Sequence, residues 1–195
     1  MPAERTPAAL LREAAATAEP RAVTGPHSRL LRLLAVADES PELDALLPYL
    51  TDGEPEVRAA AVAALAETVP AGTGPALAAR LRDEGASVRG AAFGALAAAG
   101  CPPPLAERAV AALDDPAWQV RAGAAAALRA AAAVRAVPAL AKALADRNAD
   151  VRKAAVLALL GHVPAPEARA ALATVAADPD ADVRAYAARG LAPVS

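Results

Sequence analysis

Aromatic residues are nearly missing from this chain: one Trp, two Tyr and one Phe make up 2% of 195 residues. Ring packing therefore cannot build the core, and burial has to come from aliphatic groups. A single cysteine, Cys101, excludes an internal disulfide framework and fits a reducing compartment. Cys101 precedes three prolines, no His is placed near it by sequence, and an inert thiol is the expectation. Only two histidines occur, His27 and His162; they are distant, neither adjoins a Glu, and with one Cys they cannot supply a tetrahedral metal set. No metal and no cofactor is expected. Phosphate-cradling glycine motifs are also missing. The first 21 residues carry acids and arginines throughout, with no apolar core of signal-peptide kind, and no run of about 18 uncharged apolar residues follows. These absences predict a soluble, cytoplasmic protein with no membrane segment. The net charge of −2 gives no general attraction to nucleic acid.

Alanine is what the chain has instead. Hydrophobic residues reach 56%, and most of them are alanine, the strongest helix former and a small contributor to burial. An all-helical protein with closely packed backbones follows. Only Lys142 and Lys153 are lysines, and Ala, Arg and Pro are abundant, a bias that suggests a GC-rich bacterial genome.

Against this plain background one skeleton recurs. Val57-Arg58, Val88-Arg89, Val120-Arg121, Val151-Arg152 and Val183-Arg184 follow one another at steps of 31, 32, 31 and 32 residues. Five residues before each Val stands an acid: Asp52, Asp83, Asp115, Asp146 and Asp178. An Ala stands four after it and a Leu eight after it. A period of this size marks a repeat array, in which each unit buries its apolar face against its neighbours. Within a unit, a first helix carries apolar residues 11 and 7 before the Val. The second carries them at the Val and at +4, +7, +8 and +11, one stripe at the 3.6 period. Asn148 and Asp180 stand at N-cap positions, Pro55 at a first-turn position, and Pro70 to Pro75, Cys101 to Pro104, Pro138, and Pro164 to Pro166 read as breaks between units.

The motif Asp-x4-Val-Arg-x2-Ala-x2-Ala-Leu is present in all five units, with Gly190 replacing the second Ala in the last. It resembles the short bacterial HEAT-like repeat that also occurs in phycobilisome lyases. The resemblance covers residues 41 to 195. It implies a right-handed α-solenoid of about six helical hairpins, usually a scaffold or adaptor whose second helices line an inner surface. It further implies that Asp52, Arg58, Asp83, Arg89, Asp115, Arg121, Asp146, Arg152, Asp178 and Arg184 form a buried ladder along the stack. Recurrence agrees with a structural role, because a catalytic pair needs one place and this pair occupies five. On that basis Asp115→Ala should cost about 1–3 kcal/mol, and Asp178→Ala, in the end unit, less. Five repeats are assigned to 41–70, 71–101, 102–134, 135–164 and 165–195, in one continuous domain with a divergent capping hairpin at 1–40. That hairpin is expected to hold helices at Thr6 to Ala18 and Ser28 to Asp38, the second with Arg29 and Arg32 but no Asp before a Val-Arg.

At 100° per residue the stripe leaves +2, +5, +6 and +9 of each second helix facing away from the core. Of these twenty positions seventeen are uncharged and small or apolar, three are basic, and none is acidic. The strip suggests a partner-binding groove: Val62, Phe93, Val156, Leu157 and Leu160 would meet an apolar side, and Arg129, Lys153 and Arg189 would meet acids. Alanine bias, or burial by neighbouring units, produces the same list. Trp118, in the turn between helices, covers a seam or offers a patch at the turn edge. The reading is a non-catalytic protein-binding scaffold or adaptor with a protein partner. The alternatives are a bilin lyase-like enzyme or subunit, and a nucleic-acid binder of DNA-glycosylase type, which the few cations on the inner surface disfavour.

Overall fold

A computed structural model describes residues 25–39 and 42–192. Eleven α-helices and no strand occur among them. Helix α1 spans Pro26–Ala37. Five hairpins follow: α2 (Leu43–Leu50) with α3 (Pro55–Thr68), α4 (Thr73–Arg80) with α5 (Ala86–Ala99), α6 (Pro103–Ala112) with α7 (Trp118–Ala127), α8 (Ala133–Ala143) with α9 (Ala149–Leu160), and α10 (Pro166–Ala173) with α11 (Ala181–Leu191). A 3-10 turn at Leu128–Ala130 extends α7. The helix expected over Thr6 to Ala18 lies outside the described residues.

Local chemistry accounts for where α9 and α11 begin. Asn148 Oδ1 accepts from the amides of Asp150 and Val151 at 2.8 and 3.4 Å, and Asp180 Oδ1 from Asp182 and Val183 at 2.9 and 3.1 Å. These bonds satisfy first-turn donors that a helix leaves open. One break is misplaced by sequence. Pro138 lies inside α8, not between units. Its ring is on the exposed side of the helix, where water can take the bond that its missing N–H leaves open. The connection runs instead through Ala131 and Ala132, so α8 starts at Ala133.

The second helices pack in a row, α1 on α3, α3 on α5 and onward to α11, whereas the first helices meet mainly their own partners and touch one another sparsely. Between the two layers lies one continuous core. The five repeated valines are fully buried, as are Leu46, Leu77, Leu140 and Leu172 from the first helices and Leu65, Leu96, Leu128 and Leu159 from the second. Each such leucine contributes about 1.5–3 kcal/mol of burial. Alanine at +4 lets neighbouring helices approach closely. The limit is reached where α5 meets α7. A Cβ on Gly123 would collide with the carbonyl oxygen of Gly90, and one on Gly90 would lie 2.6 Å from the carbonyl oxygen of Gln119. The two backbones are in direct contact there, and any side chain would force them apart.

Candidate functional site

Two features organise the surface built by the second helices, an ion-pair ladder at their N-terminal turns and an open face along their length. In the ladder, Arg58 donates from Nε and Nη2 to Asp83 at 2.9 and 2.7 Å, and from Nη1 to the carbonyls of Asp52 and Gly53 at 2.8 and 3.1 Å. Asp83 Oδ1 accepts in turn from the amide of Gly85 at 2.9 Å. Arg58 thus ties its own turn to the acid of the following unit, in the forked geometry that guanidinium and carboxylate share. Arg121 holds Asp146 at 2.7 and 3.0 Å, and Arg152 holds Asp178 at 2.8 and 2.9 Å. Arg89 reaches Asp115 more loosely, at 3.2 and 3.4 Å. The hydrogen bond from Arg121 keeps the Asp146 carboxyl below its ordinary range against the upward push of burial, and Arg152 does the same for Asp178. At Asp83 burial alone would raise the carboxyl, but the bonds from Arg58 and Gly85 outweigh it and the balance is downward.

One rung escapes the sequence motif. Arg29 donates to Asp52 at 2.7 and 3.0 Å, so α1 supplies the first arginine of the ladder. Its separation from its acid is 23 residues, against 25 or 26 for the internal rungs, and Ser28 replaces the valine beside it. Counting back from Asp52 by one internal spacing would have led close to it. At the other end, Arg184 bonds to the carbonyls of Asp178 and Pro179 at 2.6 and 3.0 Å and has no carboxylate partner among the described residues. The pairing direction also bears on Asp178. It belongs to the last unit, yet its carboxylate points back to Arg152 and is buried. The open end of the ladder is a base, not an acid.

The open face is narrower than the sequence suggests. Val62 and Val156 are 0% exposed and Phe93 is 4% exposed, so the +5 position is core and those three residues do not line a groove. The cause is the row itself: a second helix buries one side against its own first helix and two flanks against its neighbours. A stripe drawn for a single packing surface omits the flanks. Only in the last unit does +5, at Ala188, reach the surface.

What remains open runs through +6 and its flanking positions. Ala63 and Leu157 are exposed, Gly94, Ala126 and Leu160 half-buried, and Arg129 and Arg189 exposed. Lys153 is engaged: its Nζ lies 3.5, 3.4 and 3.5 Å from Asp150, Asp180 and Asp182. Trp118, the first residue of α7, is 41% exposed at the turn edge. Cys101 is buried, which pushes its thiol up and disfavours the reactive thiolate. His162 is buried with Nε2 3.0 Å from the carbonyl oxygen of Leu128. Among the described residues no group of three or more His, Cys, Asp or Glu is placed to hold a metal ion, and no helix is long and apolar enough to cross a membrane.

The paired-helix row with one shared rung per unit is the geometry against which relatives can be compared. A family model for HEAT repeats matches residues 43–113 and 106–192. The chain belongs to the HEAT-repeat family. Among solved structures, E. coli YibA aligns with a TM-score of 0.66 at 19% identity, covering 93% of this chain and 72% of that one. A designed armadillo repeat protein in complex with the peptide (KR)4 aligns at 0.57 and 21% identity, covering 93% and 90%. Human deoxyhypusine hydroxylase aligns at 0.52 and 23%, covering 94% and 72%. At these identities the likeness shows the fold alone. No curated protein sequence matches significantly. The HEAT fold is compatible with a protein-binding scaffold, and its second helices carry the candidate face.

Proposed function

We propose that this HEAT array is a non-catalytic scaffold that holds a segment of another protein against its second helices. The observation that carries the reading is the exposed +6 row. Leu157 is 41% exposed although it stands in the middle of α9, and Ala63, Gly94 and Ala126 continue the row without an acid. A merely solvated helix face mixes charges, and an amphipathic helix or extended segment laid on a flat apolar strip is a common recognition mode. The partner-contacting residues are then Leu157, Leu160, Arg129 and Arg189. Lys153 instead ties α9 to the start of α11, and the Asp–Arg ladder joins neighbouring units beneath the partner. The peptide complex of the designed armadillo protein supports the mode in general terms.

Ala63→Asp and Leu157→Asp test this directly. Both side chains are exposed, so folding stability should stay within about ±0.5 kcal/mol of wild type. Capture from native lysate, compared by quantitative mass spectrometry, should lose the same proteins with either variant. Folded variants that recover every wild-type protein would remove the second-helix face from consideration.

A further inference from the structure

The open row is not uniform, and its C-terminal third differs in a way that selects a partner chemistry. On α9, Leu157 is exposed and Leu160 half-buried beside it, one turn on. On one flank lies Arg129 of the preceding unit: a Cβ on Gly161, at the end of α9, would fall 3.1 Å from Arg129 Cγ. The arginine stem therefore rests against the end of the helix that carries the two leucines. On the other flank a Cβ on Gly190 would fall 2.6 Å from Leu160 Cδ2, so Leu160 touches α11 immediately beside Arg189. The order across three successive helices is arginine, two leucines, arginine.

Neither arginine has an ion-pair partner among the described residues. Asp150, Asp180 and Asp182 are gathered by Lys153 at the opposite, N-terminal ends of the helices. The local charges are thus sorted along the helix axis. Elsewhere on the row, α5 offers Ser87, Ala91, Gly94 and Ala97 and α3 offers Ala59, Ala60 and Ala63, with no base.

Resting on the scaffold reading above, we propose that Arg129, Leu157, Leu160 and Arg189 form a docking site for an acidic amphipathic helix. Its apolar residues cover the two leucines, and its carboxylates pair with the two arginines. Neighbouring helix axes lie about 8–10 Å apart, so α7 and α11 are about 20 Å apart. With each guanidinium reaching inward, the two acidic groups on the partner fall about two to three helical turns apart. The competing role for both arginines is local, since a cation near a helix C-terminus stabilises the dipole. That role would change melting and leave recognition untouched.

A displayed library of random 18-residue peptides, selected on the immobilised full chain, separates these cases. The expected result is enrichment of sequences with paired acids flanking two or more apolar residues at helical spacing. Their affinity should fall about tenfold for Arg129→Gln/Arg189→Gln, a loss typical of two weakly screened charge pairs, and recover for Arg129→Lys/Arg189→Lys. Enrichment of basic or neutral sequences that still require Leu157 overturns the acidic assignment and leaves the scaffold reading standing. Peptides indifferent to Leu157→Asp, or no enrichment at all, overturn both. Unchanged affinity for the Gln double variant, with only its melting lowered, assigns the arginines to their helix ends and overturns the proposal.

Discussion

The middle and the C-terminal end of the ladder use the same arginine in different company. Arg121 is buried and holds four acceptors: both oxygens of Asp146 and the carbonyls of Asp115 and Pro116. Arg184 keeps the two carbonyls of its own turn and, among the described residues, nothing from beyond it, and it is exposed. The carbonyl bonds therefore belong to the unit, and the carboxylate bonds belong to the joint between units. A rung is a device for fixing neighbours to each other, built on an arginine that first fixes its own turn.

The sharpest way to break that comparison is Arg121→Ala. It leaves the half-buried Asp146 carboxylate with only the Asn148 amide at 2.8 Å and removes the donor from two carbonyls, a loss that should cost about 3 kcal/mol. Chemical denaturation with a second probe of helix content would measure it, and a cost below about 1 kcal/mol would show that the rung is dispensable.

The intermediate case tests direction. Asp178→Ala removes a carboxylate held at 2.8 and 2.9 Å, and Asp115→Ala one held at 3.2 and 3.4 Å. We expect about 2 kcal/mol for the first and about 1 for the second, within the range for losing a charged hydrogen-bond partner. A reversed order in paired urea melts would mean that position in the array, and not local geometry, governs the cost. The smallest effect is expected from Arg184→Ala, about 0.5 kcal/mol or less as at other surface sites. If instead it matches Arg121→Ala, the turn carbonyls carry the stability and the carboxylates add little.

Much of this was legible in the chain before any coordinates. The 31- and 32-residue steps, the buried valines and leucines, and the caps at Asn148 and Asp180 are local signals repeated until chance is excluded. Each depends on one residue meeting its own helix or hairpin. What resisted reading depends on two units at once. Val62, Phe93 and Val156 look outward on an isolated helix and become interior when the next helix arrives. Arg29 looks ordinary because its valine neighbour and its spacing are both altered. Gly90 and Gly123 look like scattered glycines in an alanine-rich chain, and only the crossing of α5 on α7 gives them a reason. The charge order at Arg129, Leu157, Leu160 and Arg189 is likewise spread over three helices and 61 residues of chain.

The seam between α5 and α7 also limits how such an array can change length. A rung joins any arginine to any following aspartate, so most units could be copied or removed whole and their ends would rejoin with the same chemistry. Gly90 and Gly123 bring two backbones into contact, whereas Gly190 of α11 is closed by side chains, those of Leu172 and Leu160. A unit inserted between them would have to bring its own matched pair of glycines, or the backbones would stand apart. The second and third repeats are therefore fitted to each other by backbone contact as well as by their rung.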